Sequence, residues 1–263
     1  MNDHGQSEVD IKNAKFWSEL CGSHLARVLG LKDRSRESLK LFDAAYLAYY
    51  PYLRHYVEGK DLRGRKVLEI GLGYGTLGQL IAAEQADYYG IDIASGPVEL
   101  MRYRLGLVGQ NGSSDKIKVG SALELPYPAE SFDYVYAIGC LHHTGDLGRA
   151  VAEVHRVLKK QGQAVIMVYN RWSFRQILRR AAKNKQSQAE YDSNIAGETA
   201  PHTDYLSVRE ARKLFKKFAR VKIDKQNFDE YTCTRFCLGL RRCLALKTAA
   251  RLAGLDLYIT VIK

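Results

Sequence analysis

The sequence predicts an α/β protein built on a mostly parallel, doubly wound sheet. Three observations predict it. From Lys66 onward, short apolar runs alternate with helical stretches, the signature of βαβ units. The first run, KVLEI (66–70), opens directly into a glycine-rich turn, Gly71-Leu-Gly73-Tyr-Gly75. The composition is that of a globular chain: 263 residues, 46% hydrophobic and 26% charged. Collagen-like, mucin-like and wholly disordered readings are thereby excluded, and the length suits one α/β domain with additions.

Two helical stretches precede the alternating region. In 11–29, Phe16, Leu20, His24 and Val28 recur at four-residue spacing on one stripe. A second helix begins near Ser35 and carries Leu39, Phe42, Tyr46, Tyr49, Tyr50 and Leu53, with Pro51 kinking it or starting a short new helix. Residues 1–60 therefore read as a helical cap, and 61–263 as the sheet domain, with a substrate-region insertion at about 171–219. In that domain, strands are expected at 66–70, 88–93, 116–120, 132–139 and 163–170. Helices are expected from the glycine turn through Ala83, at 98–107 and at 146–159. A helix at 173–182, a polar loop at 183–202 and a helix from the capping box Ser207-x-x-Glu210 to Phe218 follow. The remaining expectations are a strand at 220–228, a basic amphipathic helix at 234–252 and a closing strand, DLYITVIK.

Glycines directly after a buried strand let the backbone turn tightly and approach a ligand, at a helix N-terminus. Two registers fit this turn. Gly73, Gly75 and Gly78 spell the dinucleotide fingerprint G-x-G-x-x-G, whereas Gly71, Gly73 and Gly75 spell G-x-G-x-G behind Glu69. The second register is favoured because the strand ends at Ile70, so the turn starts at Gly71. A Glu69 carboxylate beneath the turn also suits a cationic amino acid moiety and repels a pyrophosphate. Asp92 ends the second strand, 21 residues after Gly71, where a carboxylate accepts hydrogen bonds from ribose hydroxyls. Its bland alternative is an Asp that caps the next helix.

Further companions are Ser121-Ala122-Leu-Glu-Leu-Pro126-Tyr, Leu141-His142-His143 and Glu153-Val-His-Arg-Val-Leu-Lys-Lys-Gln-Gly162. With Glu69-x-Gly71-x-Gly73-x-Gly75, these motifs resemble, in order and spacing, those of the class I S-adenosylmethionine-dependent methyltransferases, in the broad ubiquinone/menaquinone-type subgroup. The resemblance covers about residues 60 to 170. It implies a seven-stranded Rossmann-like methyltransferase sheet with a reversed last strand, and S-adenosyl-L-methionine as cofactor, with no metal. Glu69, Gly71, Gly73 and Gly75 are then implied to hold the methionine and sugar portions, and Asp92 the ribose. Ile93 is implied to pack on adenine, Ser121 and Ala122 to line its edge, and Gly139 to pass near the methionine end. Two departures stand out: Ser121 replaces the family's Asp, and Lys160-Gln161 replace a common Pro-Gly.

Methyl transfer from a sulfonium is an in-line displacement, so the protein supplies proximity, alignment and, for a protonated nucleophile, a base. His142 and His143 are the candidate bases, on the loop where the crevice of a doubly wound sheet opens. The competing reading packs both rings against neighbours. Tyr46, Tyr49 and Tyr50 are candidate walls of the acceptor pocket, with core packing as the alternative. Arg171 is a candidate partner for an acidic substrate group. Cys140 reads as a spectator thiol.

Lys+Arg 40 against Asp+Glu 29 gives a net charge of +11. From Arg171 to Arg251, 19 basic residues face 8 acidic ones, so this region carries the whole excess. An RNA methyltransferase and a non-catalytic adenosyl-binding scaffold are therefore weighed against a small-molecule enzyme. The basic residues alternate with apolar ones in 208–220, as on a helix that packs one side and solvates the other. A small or amphiphilic acceptor is thus favoured over nucleic acid. No run approaches the ~18 apolar residues of a membrane span, which leaves only peripheral membrane contact open. The polar start MNDHGQSEVD is unlike a signal peptide, and five cysteines without a C-x-x-C pair fit a reducing cytoplasm.

Overall fold

The computed structural model describes residues 3–18, 23–109, 115–181, 199–228 and 247–263. Its centre is the predicted sheet. Strands β1 (Lys66–Ile70), β2 (Asp87–Asp92), β3 (Ile117–Val119), β4 (Phe132–Ile138) and β5 (Leu158–Asn170) are parallel, in the spatial order β3-β2-β1-β4-β5. A two-residue strand, β6 (Tyr205–Leu206), joins the end of β5. Then β8 (Asp256–Ile262) runs antiparallel between β5 and β7 (Arg220–Gln226), which is the reversed strand the resemblance implies. The chain winds outward from β1 to β3 and returns to β4 beside β1. A crevice must therefore open at the carboxyl ends of β1 and β4, where the connections leave in opposite directions.

Successive side chains point to opposite faces of a strand, so apolar runs without alternation imply helices on both sides. That is observed. Leu68, Val135, Ala164, Ile166 and Val168 join one core with α6 (Leu147–Val157) and α8 (Val208–Leu214). Val67, Tyr136 and Val165 join the other with α3 (Arg36–Tyr49), α4 (Thr76–Ala83), α5 (Ser95–Leu107) and a 3-10 turn at Pro51–Tyr56. Each fully buried aliphatic side chain here contributes about 1.5–3 kcal/mol of transfer free energy.

Differences from the sequence reading are local. The first stretch is two helices, α1 (Asp3–Trp17) and α2 (Ser23–Val28), and Val28 at 69% exposed leaves the expected stripe. Ser35 caps α3 by accepting from the Ser38 amide at 3.2 Å, and Pro51 does start a new turn. The strand β5 begins five residues early, because Leu158 already pairs with Phe132 before a register shift. Gln161 takes the left-handed conformation (φ +62°) that the family's glycine would fill more cheaply, by about 1 kcal/mol. The Ser207–Glu210 capping box forms, but α8 ends at Leu214. Helix α7 (Phe174–Ala181) is close to its expected range. Of the expected helix at 234–252, residues 234–246 lie outside the described residues; α9 (Ala249–Ala253) is its described end. Most of the 183–202 loop also lies outside them. Among the described residues, no helix is long and apolar enough to cross a membrane.

Candidate active site

A cleft opens where the topology requires it. Its floor is the glycine turn after β1, with Asp92 and Ile93 from β2, Ser121 and Ala122 after β3, and Gly139 after β4. All three turn glycines, Gly71, Gly73 and Gly75, have φ between +51° and +83°, the left-handed region that favours residues without a Cβ. A Cβ on Gly71 would overlap that of Cys140, and one on Gly75 would lie 2.7 Å from Cδ of Arg104. The third glycine of the alternative register, Gly78, has another reason. It faces the strand, where a Cβ would come within 2.7 Å of Oε2 of Glu69. Gly78 thus lets α4 sit on β1, and G-x-x-G there is packing.

Glu69 is only 1% exposed and lines the cleft beneath the turn, accepting a hydrogen bond from the buried Tyr88 hydroxyl. Burial pushes its carboxyl up to about 8, against the lowering effect of that hydrogen bond. Asp92 accepts from the Leu72 amide at 2.7 Å and the Ala94 amide at 3.0 Å. Burial lifts it to about 6, held back by these backbone donors. Asp92 therefore ties the glycine turn to the end of β2 while its side chain lines the cleft.

The start of α4 is braced from α3. Thr76 donates to Oδ1 of Asp43 at 2.6 Å, and the buried Arg104 of α5 grips the same carboxylate with two nitrogens at 2.9 and 3.0 Å. Tyr74, between two of the glycines, stacks on Phe42 of α3 with ring centres 3.9 Å apart. The turn is thus rigid on its outer side.

The segment after β4 forms a 3-10 turn, Leu141–His143. His142 is fully buried against Tyr169 and His143, with ring centres 4.2 and 4.1 Å away. Burial, then the neighbouring His143, holds its imidazole well below the usual histidine range, so it is neutral. His143 lines the cleft. Its Nδ1 lies 2.7 Å from the carbonyl oxygen of His202, an acceptor only, so Nδ1 carries the hydrogen and Nε2 is the basic nitrogen. Helix α1 covers this corner. Asn13 donates to the His143 carbonyl at 2.8 Å, Gln6 donates to that of Thr144 at 2.8 Å, and Trp17 packs on the His143 ring.

Comparison with known proteins agrees with this geometry. Residues 68–166 match the methyltransferase domain family. This segment is similar to that domain. A sterol 24-C-methyltransferase of Gibberella zeae is 34% identical over 127 residues, 46% of this chain and 31% of that protein. A demethylmenaquinone methyltransferase of Symbiobacterium thermophilum is 31% identical over 109 residues, 40% of this chain and 42% of that one. The chain thus spans less than half the length of these curated relatives. The crystal structure of YcgJ from Bacillus subtilis superposes with a TM-score of 0.55 at 17% identity, covering 81% of this chain and 98% of that one, a likeness of fold.

Along the cleft the structure brings together Glu69, Gly71, Gly73, Gly75, Asp92, Ile93, Ser121, Ala122, Gly139 and His143, and Tyr46 joins them from α3. Other expected site residues lie elsewhere. His142 is in the core behind the cleft. Tyr50 packs in the tyrosine cluster with Tyr46, Tyr49 and Tyr52, and Tyr49 faces a separate open groove between α3 and β7. Arg171 pairs with Glu210 at 2.9 Å and donates to the Tyr205 carbonyl. Sequence reasoning missed Asp10, Asn13 and Trp17, which line the cleft from α1. Their spacing of three and four residues puts them on one helix face, a signal overlooked in favour of the Phe16 stripe. The Asp43–Arg104 pair, from segments 61 residues apart, carried no sequence signal.

Proposed function

We propose that the protein catalyses transfer of a methyl group from S-adenosylmethionine to a small or amphiphilic acceptor. The observation that carries this reading is Glu69, a buried carboxyl beneath a left-handed glycine turn in the cleft floor. Asp92 and Asp10 line the same cleft. An α-ammonium docked beneath the turn draws Glu69 into its carboxylate form and pairs with it, whereas a pyrophosphate finds no cationic side chain lining the cleft among the described residues. The residues present fit the adenosyl cofactor: Glu69 for the ammonium, the glycine backbone for the amino acid portion, Asp92 for ribose and Ile93 with Ala122 for the base. When bound, the cofactor supplies an electrophilic sulfonium methyl group.

The chain's own residues do the rest. The glycine turn and the Gly139–Cys140 segment hold the reactants on one line, and α1 excludes water from the cleft. His143, held in its tautomer by the His202 carbonyl, takes the proton from an acceptor hydroxyl or amine at Nε2. Trp17 and Tyr46 wall the cleft, which suits an aromatic or aliphatic acceptor better than a folded RNA. In this reading 1–60 is a cap on the catalytic domain of 61–263, with the 171–219 region as part of its substrate side.

Calorimetry with S-adenosylhomocysteine and NAD tests the cofactor, and NAD binding more tightly would refute it. Methyl-labelled S-adenosylmethionine offered with a cell extract tests the acceptor. Label is expected in the solvent-extractable small-molecule fraction, and label in RNA would reverse the choice.

A further inference from the structure

We infer that Asp10 of α1 recognises the exocyclic amino group of the adenine ring, making the N-terminal helix part of the cofactor site. The inference rests on the adenosyl reading above, which puts the base at the Ser121–Ala122 edge of the cleft. An amino group on that base is a hydrogen-bond donor, and its site needs an acceptor. Ser121 is a poor one: its Oγ already accepts from the Leu123 amide at 3.2 Å. Its hydroxyl points instead to Oδ2 of Asp10, 3.4 Å away, across 111 residues of sequence.

Asp10 is built for the task. Its Oδ1 is held by Nε2 of Gln6 at 2.8 Å, and the same nitrogen donates to the Thr144 carbonyl at 2.8 Å. The carboxylate is therefore oriented from the turn after β4, leaving Oδ2 on the Ser121 side. The other carboxyls lining the cleft have different places in the adenosyl reading, Glu69 at the α-ammonium and Asp92 at the ribose, which leaves Asp10 for the base. Among the described residues Asp10 has no cationic partner, although the chain carries a net charge of +11. A carboxylate attracts an amino group and repels a carbonyl oxygen, so Asp10 would select adenine against hypoxanthine.

The test is calorimetry of S-adenosylhomocysteine and S-inosylhomocysteine on the wild type, Asp10→Asn and Asp10→Ala. The wild type should prefer the adenosyl ligand by about 10- to 100-fold, the worth of one hydrogen bond to a charged group. Both variants should shrink that ratio to about threefold or less, Asp10→Asn because its amide also donates to the oxo group. The ratio is an internal control, since a general loosening of α1 weakens both ligands alike. A wild-type ratio that survives in both variants overturns the inference, as does a wild type that binds both ligands equally. A wild type that binds neither overturns the adenosyl reading itself, and the inference with it.

Discussion

Glu69 should make cofactor binding release a proton. Its carboxyl, 1% exposed and pushed up to about 8 by burial, is about nine-tenths protonated at pH 7. A ligand whose α-ammonium docks against it requires the carboxylate form. Binding of S-adenosylhomocysteine should therefore expel about 0.9 proton at pH 7, and affinity should rise about tenfold per pH unit from pH 6 until it flattens near 8. Asp92, lifted only to about 6, is already mostly ionised at pH 7 and adds little there. Titration calorimetry at pH 7 in buffers of different ionisation enthalpy measures the proton count directly. Glu69→Gln should abolish the release and flatten the pH dependence. A wild type that releases no proton, or a Glu69→Gln variant that releases as much, would refute the role given to Glu69.

Further expectations follow from the same geometry. The folded Glu69 binds its proton up to about pH 8 and the unfolded one only to about 4.5, so the unfolded chain binds fewer protons between them. Stability of the ligand-free protein should fall as pH rises through that window, with Asp92 adding to the fall below about 6; urea unfolding of the wild type should show a steeper slope than Glu69→Gln. Gly71→Ala forces a side chain at φ +82° into Cys140, and thermal unfolding should report a loss of about 2–4 kcal/mol. Asp43→Ala leaves the guanidinium of Arg104, itself 2% exposed, without its carboxylate. A denaturant titration should show about 2–4 kcal/mol lost, the partial exposure of Asp43 keeping the figure below that of a fully buried pair. No measurable loss would mean that α3 does not brace the glycine turn.

By itself the sequence determined the sheet, its glycine turn and most of the cleft floor. These are local: an apolar strand, a turn needing left-handed glycines and a following helix leave period and composition signals within a dozen residues. The expected β1 range, Lys66–Ile70, is the observed one for that reason. So is the Ser207–Glu210 cap, a bond between residues three apart. Tertiary structure alone decided which of two adjacent histidines faces the cleft. His142 and His143 have the same local chemistry, and only packing against Tyr169 and the His202 carbonyl separates a buried neutral ring from one on the cleft wall. Tyr46, Tyr49 and Tyr50 were likewise indistinguishable until the angle of α3 against the sheet put Tyr46 alone of the three on the cleft. Asp10 and Asn13 came to line the cleft only when α1 crossed the turn after β4, and the Arg171–Glu210 pair formed only when α8 came beside the end of β5. Contacts between segments 40 to 140 residues apart are set by how amphipathic elements stack, and a single sequence records each partner without recording that they meet.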